Sequence, residues 1–367
     1  MKSFDVHYNK FVENINDIIA FIHQQEAQSK ALLEIKQLDK DTREKIYTTI
    51  KQSVECIEMI GDRHNSAIAY NAVIISLYGA FENYIDCIFN DYLSIVSKNK
   101  IAYDQLSEKL KDKHLKRMGD YLSNPQRFKN IELTPEVAIK NAYYIMSNQS
   151  FDFKENTKLL LSHSGNLTME QISNLSSEFG VNNLRNEITN DIEFQDYCCE
   201  KYDCSMETYK QLIQRDGDIL FSPIDQLVTY RNKVAHGNND ERISLSVVKD
   251  DIIPFVLIFS KLIKEILIKD IFCVLKDNEL LCDMGYPASV FSNSIIIINN
   301  QEHVFSVGER ILFDNETIKK VLAIKSLEIN SKSYDIIEDT NLDIGIGFEK
   351  CRKNNISAKY KCFCIKQ

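Results

Sequence analysis

One short stretch of the sequence combines residue types that suit phosphodiester chemistry. Arg231 offers a permanently charged, planar donor group that matches phosphate oxygens, and His236 can transfer a proton near neutral pH. Asn232 adds an amide beside the arginine. Residues five positions apart lie about 140° round a continuous helix. Arg231 and His236 therefore converge only if the helix ends near the histidine, as Gly237 suggests, or if a second subunit completes the site.

The same residues also suit a structural role. Arg231 can lay its aliphatic stem along the surface and pair with an acidic side chain. His236 can simply end a helix, where a positive charge is favourable. Because the pattern is short enough to arise by chance, the elements around it decide between a functional site and a structural one.

Hydrophobic periodicity divides the chain into a helical part and a β-rich part. Up to about residue 275, apolar residues recur at helical spacing, and glycine and proline are sparse. Beyond about residue 285, short β-rich runs are separated by turns, which is typical of a small barrel. The predicted fold class is α+β: a mostly α-helical bundle at 1–275, with a helical insert at about 97–215, followed by a small β-barrel at 285–367.

One predicted helix stands out, over about residues 66–96. It is apolar on most sides, which is typical of the central helix of a bundle, and it carries the acidic residue Glu82 among apolar neighbours. Other helices are expected over about 42–60, 225–236 and 244–275, and within 166–180, where Asn166 or Thr168 can cap the start and Gly180 the end.

The composition limits the classes of function. The net charge of −9 argues against a nucleic-acid coat over the whole surface, so any RNA site must be local. The lysine-rich stretch at 97–130 is either a solvated helix face or a basic edge for RNA phosphates. The ten cysteines lack paired metal-site spacing, and reduced thiols of a cytoplasmic protein are the expectation. No nucleotide-binding or metalloprotease motif occurs, so no cofactor and no metal are predicted.

The N-terminus has no apolar signal core. The most apolar run, at 252–268, is interrupted by charged residues and a proline, which favours a core helix over a membrane span. No membrane association is therefore expected.

Three segments together resemble the RiboL-PSP-HEPN subgroup of the HEPN superfamily. Residues 230–237 are similar to the superfamily signature, an arginine followed by a polar residue and, after a short spacing, a histidine. Residues 75–85 look like the core helix of the subgroup, and residues 162–181 look like its mid-domain insert. The C-terminal part, at about 307–348, has a weaker similarity to the second-domain β-barrel of translation elongation factors.

The resemblance implies a helical homodimer whose two Arg/His motifs meet at the subunit interface. It implies a metal-independent endoribonuclease, acting as a toxin or anti-phage effector, that leaves 2′,3′-cyclic phosphate and 5′-OH ends. Arg231 would bind the scissile phosphate and His236 would move the proton. Asn232 would orient the imidazole or bind a phosphate oxygen, and Glu82 would support Arg231 or His236 by a hydrogen bond. RNA and an antitoxin or companion protein would be its partners. The alternative is a HEPN module without catalysis that binds RNA or protein.

Overall fold

The structure is a computed structural model. It describes residues 1–49, 63–128, 131–147, 156–161, 165–237, 242–300, 303–338, 341–350 and 352–366.

Most of the described residues up to 277 lie in helices. They are α1 (Lys2–Gln37), α2 (Lys40–Thr49), α3 (Arg63–Lys98), α4 (Glu108–Ser123), α5 (Pro135–Met146), α6 (Asn156–Leu161), α7 (Met169–Glu178), α8 (Leu184–Thr189), α9 (Ile192–Lys201), α10 (Met206–Asp216), α11 (Ser222–Ala235), α12 (Leu245–Val247) and α13 (Ile253–Asp277). The helix expected at about 42–60 lies only partly within the described residues, where it appears as α2.

Helix α3 lies at the centre of the bundle. Phe81, Ile85 and Ile88 are completely buried, and α1, α11 and α13 pack around it. Within α3, Ser66–Lys98 has the length and hydropathy of a membrane span, and half of its most apolar window is buried inside the fold. The core helix of a bundle has the same length and hydropathy, so these two properties are weak evidence that α3 spans a membrane. The helix is not buried on every side, because Ile68 and Ile75 are exposed on one face.

The predicted insert at about 97–215 contributes to two cores. Its later helices join the main core through fully buried residues such as Met169, Ile172 and Phe194. A separate small cluster contains Met118 and Tyr121 of α4 with neighbours from α5 and α6. The later part of this region is therefore packed as an integral part of the bundle.

The last predicted helix, at about 244–275, is divided by a wider π-type turn at Val248–Ile252. Pro254 is the second residue after this turn and has no N–H to donate to the carbonyl four residues earlier. Ile253 instead donates to Val248 O. The regular helix α13 then continues to Asp277.

The C-terminal strands form an antiparallel sheet curled into a half-barrel, with strand order β1-β10-β5-β6-β9-β3-β2 and β7 paired to β6. β4 and β8 form a separate pair. The strands are β1 (Leu281–Gly285), β2 (Ser289–Phe291), β3 (Ile295–Asn300), β4 (Phe305–Ser306), β5 (Arg310–Asp314), β6 (Lys319–Ile329), β7 (Lys332–Tyr334), β8 (Ile336–Ile337), β9 (Leu342–Phe348) and β10 (Lys361–Ile365).

Strand β5 is buried on both faces. Ile311 and Phe313 point into the half-barrel core, while Leu312 between them joins the core of the helical bundle. This alternation follows from the two-residue period of a strand. Phe363 of the neighbouring strand β10 packs on the same side as Leu312. The sheet therefore lies directly against the helices.

Ion pairs fix the sheet to the bundle at the same boundary. Arg310 of β5 donates through Nη2 to both oxygens of Asp5 on α1, at 2.7 and 2.6 Å, and Lys264 of α13 donates to Asp5 Oδ1 at 2.9 Å. Lys276 binds Asp314 at 2.8 Å. Burial alone would raise the pKa of Asp5, but the charges and hydrogen bonds of Arg310 and Lys264 outweigh it and lower this pKa below its ordinary value of 3.8.

Replacing Asp5 with Asn should destabilise the protein by about 1–3 kcal/mol, because the nearly buried Arg310 loses its counter-charge. The loss is kept moderate because the Asp5 side chain is 37% exposed. Since the folded pKa of Asp5 is lowered, the stabilisation is present above pH 3.8 and declines as the pH falls below it.

Urea unfolding of Asp5→Asn near neutral pH measures this loss. Glu34→Gln serves as the control, because Glu34 forms a long, exposed pair with Lys30 at 4.0 Å and should contribute less than about 0.5 kcal/mol. Equal stability of the two variants would show that the Asp5 cluster does not hold the sheet in place.

Candidate functional site

Helix α11 carries the Arg/His motif and ends at it, as predicted. Pro223 lies in its first turn, where a missing N–H is tolerated. The N–H of His236 donates to Asn232 O at 3.0 Å, and Gly237 follows with a φ of +71°. That left-handed conformation favours glycine and terminates the helix. His236 is therefore the last residue on the helix path.

Arg231 is held by an aromatic ring and an amide. Its guanidinium carbon lies 5.3 Å from the centroid of the Tyr78 ring on α3, within the range of a cation–π interaction. Its Nη1 donates to Asn232 Oδ1 at 3.2 Å. Both Arg231 and Asn232 are half-buried. The charged group is thus fixed against the bundle while part of it remains accessible to an anion.

The Tyr78 hydroxyl forms two hydrogen bonds. It donates to Glu82 Oε1 at 2.8 Å, one turn further along α3, and accepts from the Leu167 N–H at 3.0 Å. Burial is the largest cause of the raised pKa of Tyr78, and the Glu82 carboxylate raises it further, while the Leu167 N–H and Arg231 oppose the shift. The hydroxyl therefore stays protonated and keeps its donor role.

A short stretch before α7 connects α3 to α11, and we call it the docking segment (Gly165–Met169). Asn166 Nδ2 donates to Asn232 Oδ1 at 2.6 Å, and the Met169 N–H donates to Asp225 Oδ1 at 2.9 Å. Thr168, one of the two predicted caps, accepts from the Gln171 N–H and starts α7. Together with the hydrogen bond from Leu167 to Tyr78, three hydrogen bonds from residues 166–169 join the docking segment to α3 and α11.

The predicted site residues are brought together only in part. Arg231 and Asn232 contact each other. Glu82 accepts its hydrogen bond from Tyr78, and not from Arg231 or His236. Its link to the motif therefore runs through Tyr78. The His236 side chain is exposed, and within the described ranges no side chain forms a hydrogen bond or ion pair with its imidazole. Residues 162–164, quoted for the family resemblance, lie outside the described residues.

Two contributors to the site were not assigned to it from the sequence. Tyr78 lies within the predicted core helix without a role of its own, and Asn166 was predicted only as a helix cap. Both contact α11 across long stretches of chain, and neither lies in the Arg/His motif. The tyrosine four residues before Glu82, on the same face of α3, was the one local signal for this network.

The lysine-rich stretch at 97–130 uses several of its charges within the fold. Lys113 pairs with Glu178 at 2.5 Å, Lys111 pairs with Glu108 at 2.7 Å, and Lys109 donates to Asn182 at 3.0 Å. These contacts favour the structural interpretation of the stretch. No group of three or more His, Cys, Asp or Glu side chains in the described part of the chain is arranged to hold a metal ion.

Comparison with known protein families matches residues 38–269 to the RiboL-PSP-HEPN family. The match covers more than half of the chain and includes α3, the docking segment and α11, so the protein belongs to this family. HEPN domains are often ribonucleases or RNA-binding modules. A comparison with curated proteins gives no match for the chain. The likeness of the half-barrel to elongation-factor barrels stays a prediction, as does the division into domains at 1–275 and 285–367.

The Tyr78→Phe variant should lose about 1–3 kcal/mol of unfolding free energy, because the buried Leu167 N–H loses its acceptor and Glu82 loses its donor. The ring remains, so the contact with Arg231 is kept. Urea denaturation measures the loss, and hydrogen exchange at the Leu167 amide locates it. Tyr143→Phe, on an exposed ring, should stay within about 0.5 kcal/mol of wild type. Unchanged exchange at Leu167 would contradict the assigned bond.

Proposed function

We propose that the protein is a metal-independent endoribonuclease that cleaves RNA by attack of a ribose 2′-OH on the adjacent phosphorus. The supporting observation is the pair of anion-binding groups, Arg231 and Asn232, fixed on the helix that ends in the exposed, titratable His236. The Arg231 guanidinium can bind and neutralise a phosphate group, and the His236 imidazole can transfer protons near neutral pH. The products would carry 2′,3′-cyclic phosphate and 5′-OH ends.

Each residue has a defined role in this reaction. His236 removes the proton from the 2′-OH as that oxygen bonds to phosphorus, or returns a proton to the departing 5′-oxygen. Arg231 stabilises the additional negative charge on the phosphate oxygens, because its donors are already fixed by Tyr78 and Asn232. Glu82 supports the site indirectly, by accepting a hydrogen bond from the Tyr78 hydroxyl.

A homodimer would complete the site. The reaction uses one base and one acid, and each chain offers one motif histidine, so two copies of His236 at a shared cleft would divide the two roles. The exposed Ile68 and Ile75 on α3, the helix that carries Tyr78, give an apolar surface for such an association. In a cell this activity would suit a cytoplasmic toxin or anti-phage effector restrained by an antitoxin or companion protein.

A module that binds RNA or a partner protein without cleaving is the alternative. It is favoured by one observation: among the described residues no side chain orients the His236 imidazole, whereas a general base is usually held by a further group. Binding of RNA without cleavage, unaffected by loss of His236, is the result that would select this alternative.

The His236→Ala variant should lose about 10²–10⁴-fold in the rate of RNA cleavage, the usual contribution of general acid–base catalysis. Its melting temperature should stay close to that of wild type, because the side chain is exposed at a helix end. Cleavage of end-labelled RNA gives the rate, and the termini identify the cyclic phosphate. His23→Ala, at an exposed position on α1, is the control. A wild-type rate in His236→Ala would refute the mechanism.

Mixing wild type with His236→Ala tests the shared cleft. If two copies of His236 divide the acid and base roles, a mixed dimer with one histidine should be nearly inactive, and the rate of RNA cleavage should fall as the square of the wild-type fraction. If each chain carries a complete site, the rate should fall in simple proportion to that fraction. Mass measurement in solution confirms that dimers form and exchange subunits.

A further inference from the structure

We propose that Asn166 is a positioning residue that turns the Asn232 amide so that its NH₂ group faces the RNA phosphate. Asn166 lies 66 positions before Asn232 and outside the Arg/His motif. The proposal rests on the proposed function, because it assigns a recognition role within the same site. It names the atom of Asn232 that meets the substrate and the residue that sets its orientation.

The contacts of Asn232 determine where its amide oxygen and its NH₂ group point. A guanidinium has donors only, so the atom that Asn232 presents to Arg231 Nη1 at 3.2 Å must be its carbonyl oxygen. Asn166 meets this same oxygen at 2.6 Å and must therefore present its own NH₂ group. The oxygen of Asn232 is thus occupied by two donors, and its NH₂ forms no hydrogen bond with a described residue.

Asn166 can set this orientation because the docking segment is rigidly held. Leu167 and Met169 beside it are buried, with 1% and 0% exposure, and their N–H groups bind Tyr78 and Asp225. These bonds fix the backbone on both helices before any ligand arrives. The Asn166 amide therefore acts from a fixed point on the half-buried Asn232 side chain.

The orientation matters because phosphate oxygens accept hydrogen bonds and do not donate them. With its NH₂ outward, Asn232 adds a donor beside the Arg231 guanidinium, and the two together match an anionic oxygen. With the amide reversed, a carbonyl dipole would face the phosphate and oppose binding. Arg231 and Asn166 together oppose the reversal, because Arg231 Nη1 and the Asn166 NH₂ would then both meet the NH₂ of Asn232.

The test measures RNA affinity separately from cleavage. The probe is a fluorescent oligoribonucleotide methylated at every 2′-oxygen, which binds but cannot be cleaved, and its unmodified counterpart reports the cleavage rate. We expect Asn166→Ala to weaken binding about tenfold, which corresponds to about 1.4 kcal/mol. Asn166→Ser keeps a donor and should recover part of this loss. Gln171→Ala, an exposed change in the first turn of α7, is the control and should bind as wild type.

A double-mutant cycle separates positioning from a direct or merely structural role. If Asn166 acts through Asn232, Asn166→Ala should have no further effect on Kd once Asn232 is Ala, with melting temperatures unchanged throughout. Additive effects, or wild-type binding by Asn166→Ala, overturn the inference while the proposed function stands. If wild type binds the methylated probe but cleaves no RNA, the proposed catalysis fails and the same cycle still decides the role of Asn166. If wild type neither binds nor cleaves, both proposals are wrong.

Discussion

The burial of helix α3 is the constraint on which the site depends. Phe81 and Ile85 are completely enclosed by the surrounding helices, and a close-packed helix of this kind cannot rotate or slide without losing packed contacts. Tyr78 belongs to this core through its ring and to the site through its hydroxyl. The hydroxyl forms hydrogen bonds with Glu82 and with Leu167 of the docking segment, so the packed core also holds these two groups in place. Tyr78 therefore takes part both in the apolar packing of the core and in the hydrogen bonds of the site.

The network also fits the proposed anion site into a protein that is acidic overall. The chain carries a net charge of −9, and Glu82 and Arg231 both contact Tyr78. Tyr78 stands between the two groups, donating its hydroxyl to the carboxylate and offering its ring face to the guanidinium. The carboxylate is satisfied without pairing directly with Arg231. Because no ion pair with a described residue occupies the guanidinium, its charge remains available to a ligand.

The sequence predicted the parts of the structure that local pattern controls. The span and apolar character of α3, the end of α11 at Gly237 and the strands β3, β5 and β6 follow from periodicity and turn residues. β1 was missed because it pairs with β10 at the far end of the chain, in a stretch with Asp283 and Gly285 that looks like a linker. The contacts of Tyr78 with Leu167 and of Asn166 with Asn232 were missed for the same reason, because the partners are 89 and 66 positions apart.

The partners that build the site and its support are far apart in the chain. Tyr78 meets Leu167 across 89 positions, and Asp5 meets Arg310 across 305. During translation the N-terminal part emerges first and waits for later residues. The network at Arg231 cannot form until α11 has left the ribosome, and the N-terminal helix gains its last ion pair only after β5 has followed. The proposed phosphate site would therefore stay unassembled while the growing chain is still attached to the RNA-rich ribosome.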